Sequence, residues 1–326
     1  MNQREVHRGI PPLFTQLPLV QDSLLTETTK LQNETVDKCL PFLRGSQTSQ
    51  NETLNRFGLP ALKRDEHIAF LYDSLEDYPG SFVGLDASRP WLIYWALTGL
   101  TLLGEDASKF RYRVTSTLNP MQNPTGGFGG GHGQMSHCAS SYAAVLSLAM
   151  VGGEEAFQLI DRKAMWRWLG RLKQGDGGFR VCEGGEEDVR GAYCAMVIIS
   201  LLDLPLTLPL ESEARQYGLE SFTSGLSEYL ARCKARSSLI LLGNITNGLS
   251  MVQHRHYHTD SSASSKGDFA SAFSWKYSRI STSNVPGSDT VFDEGDRLLA
   301  CHPLYVIPHK AAEDMRIWFE NQYLEV

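Results

Sequence analysis

Three features are missing from this 326-residue sequence, and each absence narrows what the chain can be. No apolar run reaches the roughly 18 uninterrupted residues that a membrane-spanning helix needs, so no membrane span is expected. No basic stripe is present. Lys and Arg number 30 against 37 Asp and Glu, for a net charge of −7, which is the wrong sign for a nucleic-acid binder. No cysteines form a C-x-x-C pair. The six, Cys39, Cys138, Cys182, Cys194, Cys233 and Cys301, are scattered, which points to a reducing compartment rather than a disulfide framework. The opening "MNQREVHRGIPPLFTQLPLV" has no long apolar core after a basic start, so it does not read as a secretory signal. A cytoplasmic protein is expected.

What the sequence does contain is a repeat. "GGFGGGHGQMSHCASSYAAVLSLAMVGG" begins at Gly126, and "GGFRVCEGGEEDVRGAYCAMVIISLLDL" begins at Gly177, 51 positions later. In both, a tyrosine (Tyr142, Tyr193) stands fourteen positions after a phenylalanine (Phe128, Phe179). The stretch "SFVGLDASRPWLIYWALTGLTLLGE" at 81–105 fits the same frame, with Tyr94 lying 48 positions before Tyr142. Between the two glycine motifs runs "AMWRWLGRLKQGDGGF", with apolar residues at Met165, Trp166, Trp168, Leu169 and Leu172. Each unit therefore reads as helix, glycine turn, loop, helix. A period of about 50 residues with two helices per unit implies stacked helix pairs. The fold class is all-α, an α/α toroid with an inner and an outer ring of helices. "GGFGGGHG" lacks the Lys-Ser/Thr ending of a phosphate loop and no strand precedes it, so it reads as a turn between helices. A third unit starts at "GLSEYLARC" (225–233) but stops in "ARSSLILLGNITNGLSMVQ", leaving the toroid incomplete.

The long motifs "LDASRPWLIYWALTGLTLLGE", "GGFGGGHGQMSHCASSYAAV" and "GGEEDVRGAYCAM" resemble the β-subunit family of protein farnesyltransferase. The resemblance runs over roughly residues 26–233. It resumes in "NGLSMVQH" (247–254) and in "DRLLACHPLYVIPHKAAEDMRIWF" (296–319). It implies a heterodimer with an α subunit. It also implies transfer of farnesyl from farnesyl diphosphate to the cysteine of proteins ending in a CaaX sequence. In the family a zinc ion held by Asp, Cys and His binds the substrate thiol as thiolate, the nucleophilic form.

The resemblance marks candidate substrate-binding residues. Trp91 and Trp95 match an aromatic pair that shapes the isoprenoid and peptide cleft. Flat aromatic walls suit a branched apolar chain, although aromatics four apart are also an ordinary helix core stripe. Arg190 matches an arginine that approaches the peptide's C-terminal end. A surface pair with Glu186 or Glu187 is its rival reading. Tyr193 and Cys194 match cleft-lining residues that also pack the inner helix. His137 and Ala139 open the preceding inner helix and border the same cavity.

The family's diphosphate-binding and zinc-ligand motifs are not found after Cys233. No metal ligand and no catalytic residue is therefore identified, and an internal deletion of two to three repeats is expected at about 234–246. "HRHYHTD" offers His254, His256, His258 and Asp260 at spacings that suit a metal, but it follows "GLS" where the family ligand precedes it, so a solvated loop is favoured. The expected organisation is an N-terminal extension (1–60), toroid repeats (61–233), an aberrant junction with a polar loop (234–295) and a closing segment (296–326). The alternative function is a non-catalytic scaffold for the α subunit or for prenyl and CaaX peptides. An open arc is expected to expose apolar inner-ring surface.

Overall fold

The computed structural model describes residues 26–43, 61–76, 78, 80–233, 295 and 298–324. The histidine-rich 254–260 and nearly all of the 234–295 junction lie outside the described residues. The chain divides into two units, residues 1–67 with 271–298 and residues 68–270 with 299–326. In the first, helix α1 spans Glu27–Leu43, α2 (Arg64–Asp73) begins, and Arg64 Nη2 donates to the Gly295 carbonyl at 2.9 Å.

The second unit carries the repeat. Its helices are α3 (Arg89–Leu102), α4 (Arg111–Leu118), α5 (Cys138–Val151), the short α6 (Glu154–Gln158) and α7 (Arg162–Leu172). They are followed by α8 (Val189–Leu201), α9 (Leu226–Arg232) and α10 (His309–Glu320). Among the described residues extended pairing is limited to isolated bridges, and no helix is long and apolar enough to cross a membrane.

Helix α5 packs on α3 and on α8, and every one of its residues except Ala139 is buried. Its sequence is apolar or small on all sides, which is the pattern of a helix enclosed by neighbours. Helix α7 is amphipathic instead. The five apolar positions read from the sequence, Met165, Trp166, Trp168, Leu169 and Leu172, are its buried side. Helices α3, α5 and α8 thus form the inner row, and α4, α7 and α9 the outer one.

The glycine turns repeat bond for bond. In the first, the Asn123 N–H donates to the Gly127 carbonyl (3.0 Å) and the Gly129 N–H to Met121 (2.9 Å). In the second, the Gln174 N–H donates to Gly178 (3.0 Å) and the Arg180 N–H to Leu172 (3.0 Å). Gly126 and Gly177 hold φ of +99° and +100°, which side chains rarely tolerate. A Cβ at Gly126 would run into the Ala164 carbonyl oxygen of α7, and one at Gly177 into the Gly225 carbonyl oxygen just before α9. Each turn glycine therefore lets the next outer helix come close. The inner helices that follow are capped alike by different residues. The His137 side chain accepts from the Ala139 N–H, and the Asp188 side chain accepts from the Arg190 N–H.

The C-terminal stretch closes the unit. Helix α10 packs on α5 and α8, with Phe319 6.1 Å from Phe157 between ring centres. The buried Arg162 donates to the carbonyls of Leu202 (2.9 Å), Asp203 (2.9 Å) and Gln322 (3.0 Å), and its guanidinium lies over the Phe319 ring. The expected exposure of inner-ring apolar surface is not what the described residues show. Of the large apolar side chains on α3, α5 and α8, only Trp95 is open, at 53% exposure. Residues 304–306 accept the hydroxyls of Tyr94, Tyr142 and Tyr193, and α10 packs on α5 and α8.

Candidate functional site

A row of aromatic rings crosses the three inner helices. Trp91 lies 5.5 Å from Trp95, 5.5 Å from Tyr94 and 5.7 Å from Tyr142, centre to centre, and Tyr142 lies 5.7 Å from Tyr193. Helix α3 supplies the first three rings, α5 the fourth and α8 the last. Their alignment follows from the repeat, because each inner helix carries a tyrosine at the equivalent position. Offset and edge-on pairs of this kind are each worth about 0.5–1.5 kcal/mol beyond area burial.

The tyrosine hydroxyls end on the C-terminal segment in reverse order. Tyr94 donates to the Val306 carbonyl at 3.1 Å, Tyr142 to Tyr305 at 3.5 Å and Tyr193 to Leu304 at 2.5 Å. The Tyr305 hydroxyl is in turn 2.7 Å from Ser200 Oγ of α8. Burial pushes the Tyr142 phenol well up and that of Tyr193 up to about 12, so both stay protonated donors.

Of the residues singled out in the sequence, Trp91, Trp95 and Tyr193 meet in this row. Trp91 is half-buried and Trp95 exposed. Cys194 is buried, and that burial pushes its thiol up to about 12; burial also raises the Cys138 thiol well above its ordinary value. Neither is a ready nucleophile. His137 and Ala139 stand half-buried at the start of α5. His137 Nδ1 accepts from the Ala139 N–H at 3.1 Å, which leaves the proton of the neutral ring on Nε2. Burial lowers its pKa, while Glu186 and Arg190 act on it with opposite sign. His137 and Arg190 stand at the N-terminal ends of the packed helices α5 and α8. Arg190 is exposed, and its partner is Asp188, with Nε to Oδ1 at 2.8 Å and Nη2 to Oδ2 at 2.9 Å. The rival pairing with Glu186 or Glu187 gives way to the helix cap, because Asp188 already sits at the N-terminus of α8.

Zinc is the metal the resemblance implies. Among the described residues no three His, Cys, Asp or Glu side chains come together to hold a metal ion. The described donors therefore do not fit it. A cavity of about 530 Å³ lies on the opposite side of α3, lined by Phe82, Leu92, Ile93, Phe110 and Val114 among others, and none of the candidate residues borders it.

Two parts of the wall escaped the sequence reading, Tyr94 with Tyr142 and the strip 304–306. The tyrosines had a signal, their fixed place in each unit. The strip had none.

A curved double row of helix pairs with an aromatic inner wall defines the class: an α/α-toroid protein. The family model "Prenyltransferase alpha-alpha toroid domain" matches residues 62–238, and the chain belongs to that family. Its relatives include proteins named protein farnesyltransferase subunit beta. That of Pyricularia oryzae is 51% identical over 235 residues, covering 71% of this chain and 46% of the relative. That of Schizosaccharomyces pombe is 36% identical over 205 residues, covering 62% and 50%. That of Saccharomyces cerevisiae is 32% identical over 231 residues, covering 69% and 47%. The chain spans about half the length of these relatives.

Proposed function

We propose that this chain serves as the β subunit of a protein farnesyltransferase in the cytoplasm. In this reading it presents the isoprenoid and the CaaX peptide to each other in complex with an α subunit. The aromatic row Trp95–Trp91–Tyr142–Tyr193 carries the reading, since its open end, exposed Trp95 with half-buried Trp91, is an apolar face backed by Tyr142 and Tyr193, with His137 and Arg190 as polar groups at the starts of the neighbouring helices. A branched hydrocarbon lies flat on such rings. Arg190 suits a peptide's terminal carboxylate, met directly or through water. The family's zinc and diphosphate residues stand in motifs that this sequence lacks, so binding is expected to outlast turnover.

The test is to co-purify the full chain with an α subunit. Farnesyl diphosphate binding is read from Trp91 and Trp95 fluorescence, and transfer from labelled farnesyl diphosphate to a CaaX peptide is followed. Saturable quenching with little transfer is the expected outcome. Quenching that is unchanged in a Trp91→Ala, Trp95→Ala variant would remove the proposed wall. One equivalent of zinc together with full turnover would show that the chemistry is intact.

A scaffold that holds the α subunit or a prenylated peptide is the second reading. It is favoured by one observation: the tyrosine hydroxyls are already engaged by the chain's own carbonyls. Failure to capture the α subunit would count against it.

A further inference from the structure

We infer that Lys173 is a proton-linked anchor of helix α9, holding the helix more tightly when its amine is neutral than when it is charged. This anchoring is independent of the proposed prenyl-binding role.

The repeat supplies the comparison. Gln122 and Lys173 stand 51 positions apart, four before Gly126 and Gly177, and each bridges to the phenylalanine of its own turn. Gln122 Nε2 donates to the Leu159 carbonyl at 2.8 Å and its Oε1 accepts from the Asp161 N–H at 2.9 Å, which fixes the chain just before α7. Lys173 Nζ donates to the Phe222 carbonyl at 2.9 Å, just before α9, and to the Gly177 carbonyl at 2.6 Å. The outer-helix arginines repeat as well. Arg171 Nη2 of α7 donates to the Thr125 carbonyl at 2.7 Å, and Arg232 Nη2 of α9 to the Asp176 carbonyl at 2.9 Å. One position therefore anchors the next outer helix in both units, with an amide in the first and an ionisable amine in the second.

Lys173 is 0% exposed. Among the described residues its Nζ meets the two carbonyls and the face of the Phe179 ring, 4.7 Å away, and no carboxylate pairs with it. A neutral amine has two N–H groups for these two carbonyls. The ammonium carries a third proton and a charge that burial without an ion partner penalises. Burial accordingly pushes the amine down to about 7 from 10.5, against the pull of Asp176 and Glu187. The other titratable or charged groups around the turn are Arg180, with Tyr229, Arg232 and Cys233 on α9 and at its end. Partial burial and the neighbouring Asp176 push Glu187 up to about 7 from 4.5, so its titration lies below that of Lys173. The folded pKa of Lys173 is below its unfolded value. The stability it contributes is therefore full above pH 10.5 and is lost as pH falls to about 7.

The experiment follows hydrogen exchange of α9 and α7 amides in the full chain between about pH 7 and about pH 9, corrected for intrinsic exchange. A Lys173→Gln variant, which carries the first turn's residue, is run beside it. Protection of α9 is expected to rise by up to about tenfold per pH unit in the parent, with α7 changing less, and the rise should vanish in Lys173→Gln. Equal changes in α7 and α9, or a rise that persists in Lys173→Gln, overturn the inference. If the variant does not fold, the parent alone decides. One of its lysine Cε resonances is expected to titrate near 7, and lysines that all titrate near 10.5 overturn the inference.

Discussion

Gly126 and Gly177 do the same job in successive turns. Each combines a positive φ with a neighbouring carbonyl that leaves no room for a Cβ, so an alanine meets backbone strain and a collision together. The strain alone is worth about 1–3 kcal/mol. Gly126→Ala and Gly177→Ala are therefore each expected to lower the urea midpoint clearly. Gly104 also has positive φ but open space around it, so it should lose less on the same change. Equal losses at all three positions would mean that close approach to α7 and α9 contributes nothing. These glycines were legible in the sequence because their reason is local: a Gly-Gly-Phe turn recurs at a fixed interval.

At the scale of elements, the inner helices and outer helix α7 were legible too, α5 from its unbroken apolar and small residues and α7 from its one-sided pattern. The strip 304–306 was not. Its bonds to Tyr94, Tyr142 and Tyr193 join residues more than a hundred positions apart, and a periodicity in the chain carries no trace of such pairing. The strip also hangs on one histidine. His302 Nδ1 accepts from the Leu304 N–H at 3.2 Å, and its ring stacks 4.3 Å from Tyr305. Burial, with His309 and Arg316 close by, pushes His302 down to about 3 from 6.5. Its folded form is thus the neutral one. The stability it contributes is full above pH 6.5 and is lost as pH falls toward about 3. The parent's thermal midpoint should fall across that window more steeply than that of a His302→Phe variant. Parallel curves would show that the ring is not the group that titrates.

For the molecule as a whole, Arg162 joins three distant places: the start of α7, the end of α8 and the chain near Gln322. Arg162→Met would leave the carbonyls of Leu202, Asp203 and Gln322 without their donor, at a cost of about 3 kcal/mol. With the C-terminal anchor loosened, the buried part of the aromatic row, Tyr94 and Tyr142, should become reachable, read as increased binding of an apolar fluorescent dye. A variant that unfolds at a lower temperature yet binds no more dye would show that the strip stays in place without α10. The tyrosines that meet this strip also report the direction of curvature. Packed helix axes stand about 8–10 Å apart. The rings of Tyr94, Tyr142 and Tyr193 are only 6.0 and 5.7 Å from one another, and the carbonyls they reach belong to consecutive residues, whose Cα atoms are about 3.8 Å apart. Distances that shrink from axis to ring to tip are those of spokes running to a hub, with Leu304–Val306 as the hub.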